Sequence, residues 1–157
     1  MRKLVDEIVL ECVRDLFVLH GIVLEPTATT GPFNLVAAVG FAGHRIRGSL
    51  GLGITAGLVR GDDVEDWVSE MANQLLGRIA NRFSARGVEV ELAAPMLLRG
   101  IELRVEAQAA HVMTYPFRDK EGSGELCAWI DIRPFQGLAL TSEAAPPVVS
   151  EGDMLVF

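Results

Sequence analysis

With 157 residues, half of them hydrophobic, the chain has the size of a single domain with a sizeable core. Its formal net charge of −7 argues against a nucleic-acid-binding surface, and its apolar content argues against a disordered chain. The first apolar run, residues 4–19, is interrupted by charged residues, so it is neither a secretion signal nor a membrane span. For Cys12 and Cys127, which lie apart in apolar segments, we favour buried free thiols over a disulfide. We therefore expect a cytoplasmic protein without membrane insertion.

The first part of the chain is predicted to contain a helix, a loop, a two-stranded hairpin and a short connection. These segments are residues 4–19, residues 22–32, residues 33–41 with 45–54, and residues 55–61. Apolar residues at helical spacing predict the helix, and Gly21 lies where a left-handed cap would end it. β-like runs on both sides of Ala42 and Gly43 predict the hairpin, with those two residues as its turn.

Residues 62–83 are predicted to form one long helix. Asp62 or Asp63 can cap its first turn, and Glu65 and Asp66 add negative charge where the helix dipole favours it. Apolar residues recur three or four positions apart, which predicts one buried side. These residues are Val64, Trp67, Val68, Met71, Ala72, Leu75, Leu76, Ile79, Ala80 and Phe83.

The opposite side of this helix carries polar residues and a glycine. Its members are spaced three or four residues apart and therefore form one stripe: Asp66, Glu70, Asn73, Gly77 and Asn81. A solvated helix face usually carries lysine and glutamate at many positions, whereas this stripe has no lysine. We take it as the candidate functional surface.

The rest of the chain is predicted to be mostly β-structure. Its segments are a half-buried strand at 88–92, a break at Pro95, and a hairpin of residues 103–114 and 124–134 linked by a turn-rich stretch at 116–123. The order of elements favours an α/β fold of the α+β type, a two-layer sandwich with a largely antiparallel sheet covered on one face by two long helices. We expect a single domain over residues 1–157, with its core in 1–135 and with 141–157 as a tail or an added edge strand.

The stripe resembles the signature helix of the CheC/CheX/FliY family, bacterial chemotaxis phosphatases that dephosphorylate the response regulator CheY. The resemblance rests on Asp66-x3-Glu70-x2-Asn73, on Gly77 four residues later, and on Pro95. The chain has one such helix, as CheX does, whereas CheC and FliY have two. The family's proline usually lies one residue further from the asparagine, and a loop shortened by one residue after the helix accounts for the difference.

The resemblance implies a phosphatase that acts on the aspartyl phosphate of a CheY-type response regulator. Asn73 would orient the attacking water, because a carboxamide oxygen accepts a hydrogen bond from water while its NH2 group donates to a neighbour. Glu70 would dock on the regulator's active-site lysine. Asp66 and Gly77 would belong to the partner-binding surface, although Asp66 also suits the electrostatics of the helix start. The chain would need no metal or cofactor of its own, since the Mg²⁺ belongs to the regulator, and it would form a homodimer.

Two other interpretations stay open. One is a non-catalytic interaction domain like CheC or the flagellar switch protein FliM, which would bind a response regulator or another signalling partner without hydrolysing phosphate. The other is an unrelated small-molecule enzyme, but the sequence shows no catalytic triad, phosphate loop or metal motif, and its three histidines are scattered. A Glu-x-x-Asn pattern alone is frequent on wet helix faces, so it is the flanking residues and Pro95 that favour the phosphatase.

Overall fold

Residues 1–28, 30–105 and 111–134 are described by the structure, a computed structural model. The helices are α1 (Arg2–Val18) and α2 (Val64–Ser84), with a turn of 3₁₀ helix at Ala56–Leu58. The strands are β1 (Leu24–Pro26), β2 (Phe33–Ala42), β3 (Ile46–Ile54), β4 (Glu91–Leu92), β5 (Met96–Leu103), β6 (Val112–Asp119) and β7 (Glu125–Pro134). The predicted tail or edge strand at 141–157 lies outside the described residues, and the single domain over 1–157 stays a prediction.

The seven strands form one antiparallel sheet. Their hydrogen-bonded order is β1-β6-β7-β3-β2-β4, and β5 pairs with another part of β2. Every strand pair within the described residues is antiparallel. β2 and β3 form the predicted hairpin, in which Ala42 lies opposite Arg47. The prediction of a largely antiparallel sheet is confirmed.

Both helices pack on the same face of this sheet. The residues of α1 that recur at helical spacing are buried: Val5, Ile8, Val9, Cys12, Val13, Leu16 and Phe17. They share one hydrophobic core with the buried side of α2 and with alternate residues of β2, namely Leu35, Ala37, Val39 and Phe41. Because successive strand residues point to opposite faces, this alternation assigns both helices to one side and confirms the two-layer α+β fold. No helix in the described parts of the chain has the length and apolar character needed to cross a membrane.

The opposite face of the sheet accommodates an aromatic ring above a glycine. Trp129 alternates along β7 with Ala128 and Ile130, which belong to the core under the helices. Its indole therefore lies on the face away from the helices, against Gly51 of β3, the residue opposite it in the sheet. A methyl group at Gly51 would overlap the indole ring, so the glycine is what makes room for the tryptophan.

The strand predicted at 88–92 pairs only at its end. Gly87 has a left-handed backbone with a φ of 78°, and the N–H of Val88 donates to the carbonyl of Phe83 at 3.0 Å. This bond closes the end of α2, so the N–H of Val88 is not free to join a neighbouring strand. Val88 and Val90 are buried, in line with their alternation, but pairing begins only at β4.

The last predicted hairpin has different strand limits. Instead of one strand over 103–114, β5 ends at Leu103 and β6 begins at Val112. The link predicted at 116–123 is shorter, because β6 runs through Pro116 to its end at Asp119. The carbonyl of Pro116 meets the N–H of Thr27 at 3.1 Å, just past the end of β1. The backbone nitrogen of Pro116, which has no N–H to donate, faces the same way as this carbonyl. Because β1 has already ended at that point, the proline interrupts no pairing with β1. The strand predicted at 124–134 is confirmed as β7.

Asp119 organises the turn between β6 and β7. Its buried carboxylate accepts hydrogen bonds from the backbone N–H groups of Glu121 and Ser123, each at 3.3 Å, and from the hydroxyl of Ser123. These bonds, led by that of the Ser123 hydroxyl, hold the pKa of the Asp119 carboxyl below its usual value. The side chain is therefore a structural carboxylate.

The two cysteines are buried free thiols, as predicted. Burial raises the pKa of Cys12 to about 11 and also raises the pKa of Cys127. Because the thiolate is the reactive form, neither residue has the character of a nucleophile at neutral pH.

Candidate functional site

The candidate site is built on the first half of α2. Asp63 caps the helix, since its Oδ1 accepts a hydrogen bond from the N–H of Asp66 at 3.0 Å. Glu65 and Asp66 fall in the first turn, where the helix dipole favours negative charge. Of the two predicted caps Asp63 is the correct one, and the helix begins at Val64.

The polar stripe of α2 divides into an open part and a covered part. Asp66 and Glu70 are exposed and Asn73 is half-buried, so these three residues present one face to the solvent. We call these three residues the site stripe. Gly77 and Asn81 are buried, although the spacing predicts that they continue the same open face. Helical spacing determines which residues share a side of the helix, but it does not determine where that side is covered.

Glu70 is oriented by a neighbour on its own helix. Nε2 of Gln74 donates a hydrogen bond to Oε1 of Glu70 at 2.8 Å. A carboxylate has two oxygens, each able to accept more than one bond, so Glu70 keeps capacity for an external donor. Sequence reasoning missed Gln74, although a Glu and a Gln four residues apart on a helix are a recognisable signal.

Ion pairs attach α2 to the elements beside it. Arg99 of β5 forms a close ion pair with Glu65 in the first helical turn. Near the other end of the helix, Arg82 pairs with Glu11 of α1 at 3.6 Å. All four side chains are at least partly exposed, so each pair contributes at most about 1 kcal/mol to stability. Their main effect is to fix the position of α2, because they link both ends of this helix to neighbouring elements. No local pattern in the sequence indicates either ion pair.

An aromatic cluster joins the beginning of α2 to the end of α1. The half-buried ring of Trp67 meets Phe17 edge-to-face, with ring centres 6.2 Å apart, and meets His20 in the same way at 5.8 Å. The two helices are therefore antiparallel, since the end of α1 lies beside the start of α2. Val64 was predicted to lie on the buried side of α2, but it is exposed. The buried residues of this helix begin only at Val68.

The described residues offer no arrangement of metal ligands. In residues 1–28, 30–105 and 111–134, no three His, Cys, Asp or Glu side chains come together as a metal site would require. Whether the chain works without a cofactor of its own stays a prediction. The site stripe itself can accept hydrogen bonds through two carboxylates, and it can both accept and donate through the carboxamide of Asn73.

Comparison with known proteins identifies the family. The family model described as "Chemotaxis phosphatase CheX" matches residues 35–118, more than half of the chain. The chain belongs to the CheX family. The matched range contains all of α2 and β5, and with them the site stripe, Gln74 and Arg99. A comparison with curated proteins gives no match.

Solved structures of CheX-like proteins share the fold. A CheX from Vibrio vulnificus is 18% identical, with a TM-score of 0.68 over 81% of this chain and 95% of that one. A CheC-like protein from Shewanella oneidensis is 19% identical, with a TM-score of 0.69 over 85% of this chain and 100% of that one. A structure described as a CheX-CheY-BeF3-Mg complex from Borrelia burgdorferi is 17% identical, with a TM-score of 0.58 over 82% of this chain and 95% of that one. This CheX-family chain therefore keeps the fold at low sequence identity.

Proposed function

We propose that this CheX-family chain is a phosphatase that accelerates hydrolysis of the aspartyl phosphate of a CheY-type response regulator. The observation that supports it is the open part of α2, where Glu70 and Asn73 lie three residues apart on one face within the range that matches the family. The CheX-CheY complex from Borrelia burgdorferi supports the choice of a CheY-type partner.

In this proposal Asn73 reaches the phosphorylated aspartate and positions a water molecule. The carboxamide oxygen accepts a hydrogen bond from the water and holds it in line with the phosphorus atom. Water attacks phosphorus, the acyl P–O bond breaks, and the regulator's aspartate leaves as a carboxylate while the phosphate takes the oxygen and protons of the water. Positioning and electrostatics carry most of the catalysis in phosphoryl transfer, so a neutral group suits this role.

Glu70 fixes the helix on the regulator in the same proposal. Its carboxylate pairs with the regulator's active-site lysine, and the bond from Gln74 keeps the side chain in place for that contact. Glu70 does not act as a base, because an acyl phosphate is already activated and a second negative charge beside it would repel the phosphate. Losing Glu70 should therefore weaken docking more than chemistry.

The two remaining predicted site residues differ in position. Asp66 is exposed one turn before Glu70, where it can contact a partner as well as serve the start of the helix. Gly77 is buried, so a contact with a partner would require its surroundings to open, and we leave it out of the proposed site. Mg²⁺ is supplied by the regulator, and the chain acts in the cytoplasm as a homodimer.

The proposal is tested by following decay of the phosphorylated regulator. Each CheY-type regulator encoded in the same genome is phosphorylated, and phosphate loss is measured with wild type, Glu70→Ala and Asn73→Ala. We expect wild type to accelerate decay of one regulator and Asn73→Ala to lose roughly 10²–10³-fold in rate. Glu70→Ala should raise KM more than it lowers kcat.

Two results would contradict this function. If wild type accelerates decay of none of the regulators, the chain is not this phosphatase. If wild type binds a phosphorylated regulator but leaves its lifetime unchanged, the chain is a non-catalytic interaction domain.

A further inference from the structure

The strands β4 and β5 are two parts of one strand that runs along β2, and a bulge separates them. Leu92 of β4 lies opposite Phe41, whereas Met96 of β5 lies opposite Ala38. Four steps along this strand therefore correspond to only three steps along β2. One strand has a residue more than its partner over the same stretch, which is a β-bulge.

The bulge lies at the proline that follows β4. The N–H of Ala93 still donates to the carbonyl of Gly40 at 2.9 Å, and β5 begins directly after Pro95. Ala94 and Pro95 are thus left together opposite a single residue, Val39. A proline suits this position, because it has no N–H with which to restore the regular pairing. We call Ala94 and Pro95 the Pro95 bulge.

The Pro95 bulge determines which side chains of β5 face the helices. Leu92 and Leu97 both pack against the core under the helices, although they are five residues apart. In an uninterrupted strand, residues that are an odd number apart point to opposite faces. The extra residue in the bulge resolves this conflict and turns Leu97 to the helix side. Arg99, two residues further, lies on the same side, opposite the core residue Leu35.

On the helix side, Arg99 reaches the start of α2. Its guanidinium forms the close ion pair with Glu65 in the first turn of that helix. Without the extra residue, the alternation that passes through Leu92 would direct Arg99 to the face of the sheet away from the helices, out of reach of Glu65. The ion pair between β5 and α2 therefore depends on the Pro95 bulge.

The start of α2 is held by few contacts. The buried residues of this helix begin only at Val68, so its first turn has no buried side chain. The half-buried ring of Trp67 attaches this turn to α1, and Arg99 attaches it to the edge of the sheet. A segment with little buried surface depends on such individual contacts for its position. The site stripe begins in this turn with Asp66 and continues one turn later with Glu70.

We propose that Pro95 and Arg99 are positioning residues of the phosphatase site. The Pro95 bulge turns Arg99 towards α2, and the ion pair with Glu65 holds the site stripe in the orientation that hydrolysis requires. This inference rests on the proposed function and adds to it two residues that do not touch the reacting atoms. Asn73 lies eight residues after Glu65, about 12 Å along the helix axis, so a tilt of the first turn displaces its carboxamide. A misplacement of about 1 Å in an active site can cost about 10²-fold in rate.

The test is a double-mutant cycle of Pro95→Ala, Arg99→Gln and the variant that carries both substitutions. The probe is the phosphorylated CheY-type regulator whose decay wild type accelerates most. We expect each single variant to lower kcat about three- to tenfold with a smaller change in KM, because a displaced Asn73 impairs chemistry more than docking. The double variant should be no slower than Arg99→Gln, since both substitutions act through the same ion pair.

A matched control is Arg118→Gln, which removes an ion pair of the same kind elsewhere in the sheet. Arg118 of β6 pairs with Glu25 of β1 at 2.7 Å, and both side chains are at least partly exposed. β1 and β6 lie at the opposite end of the strand order from β2, with which β5 pairs. The control should keep the wild-type kcat and KM. Pro95→Ala leaves the net charge unchanged, so an effect that it shares with Arg99→Gln is not caused by a lost positive charge.

The possible outcomes separate this inference from the proposed function. If either single variant keeps the wild-type kcat, or if the two effects add in the double variant, Pro95 does not act through Arg99 and the inference is wrong. If Arg118→Gln slows the reaction as much as Arg99→Gln, the effect is a general consequence of losing an ion pair, and the inference is again wrong. In these cases the phosphatase function stands. If wild type accelerates no regulator, the proposed function fails, and no site remains for these residues to position.

Discussion

The two halves of the polar stripe on α2 differ in a way that their spacing does not reveal. Asp66, Glu70 and Asn73 are open or half-open, whereas Gly77 and Asn81 are buried on the same side of the helix. Both halves have carboxamides, Asn73 in one and Asn81 in the other. The same side chain can therefore serve a partner protein in the first half and an internal interaction in the second. Accessibility separates a candidate catalytic residue from a structural one.

The largest effect on activity should appear when each of the two asparagines is replaced by alanine in a separate variant. Asn73→Ala should lower the rate of regulator dephosphorylation roughly 10²–10³-fold and leave the free energy of unfolding nearly unchanged. Asn81→Ala should do the reverse. Asn81 is 7% exposed and has an interaction partner, so its loss should cost about 1–3 kcal/mol of stability and little activity per folded molecule. Phosphate decay and urea unfolding on both variants provide the check. If Asn81→Ala is the inactive and stable variant, the division of the stripe is wrong.

A smaller effect is expected at Asp119, a buried carboxylate that contrasts with the open ones of the stripe. Its folded-state pKa lies below the unfolded value, so its stabilising contribution is present at neutral pH and is lost as the pH falls through the folded pKa. Asp119→Asn should therefore lower stability at pH 7 by about 1–3 kcal/mol. The difference from wild type should shrink below about pH 4.

Urea unfolding of wild type and Asp119→Asn across this pH range measures the effect. Glu70→Gln serves as the control because its carboxylate is exposed. A difference for Asp119→Asn that stays constant down to pH 2 would mean that its charge does not stabilise the turn.

The smallest effect is expected from Gln74, which supports the open half. Gln74→Ala removes the 2.8 Å hydrogen bond that orients Glu70 and should raise KM roughly two- to fivefold at unchanged kcat. Gln74→Glu, which replaces the donor with a second carboxylate, should raise KM further. Steady-state dephosphorylation measures both. Equal KM values for wild type and Gln74→Ala would show that Glu70 needs no support from its neighbour.

Much of the fold was predictable because it follows from local periodicity. The two long helices and the hairpin of β2 and β3 match the spacing of their apolar residues, but the turn begins only at Gly43, because Ala42 is still paired with Arg47 at the end of β2. The predicted limits of strands were wrong where backbone hydrogen bonds determine where a strand begins or ends. The N–H of Val88 closes the end of α2 instead of joining a strand, and Pro116 is tolerated within β6 because β1 ends beside it.

The candidate site was predictable as a set of residues but not as a surface. Helical spacing placed Glu70 and Asn73 on one face, and the described residues agree. Their catalytic roles stay predictions until activity is measured. Spacing could not indicate that Gly77 and Asn81 are buried, because the cover comes from tertiary contacts. The pairing of Arg99 with Glu65 depends on how β5 lies beside α2, which no local pattern encodes.

The sheet separates the two tryptophans of the sequence, with Trp67 on the helix side and Trp129 against Gly51 on the other. Intrinsic fluorescence therefore has one emitter on each side of the molecule. In a Trp129→Phe background, emission reports the helix side alone, and in a Trp67→Phe background it reports the far face. A binding partner can thus be assigned to one side of the sheet from the shift of the tryptophan emission maximum and from quenching, without attaching a dye.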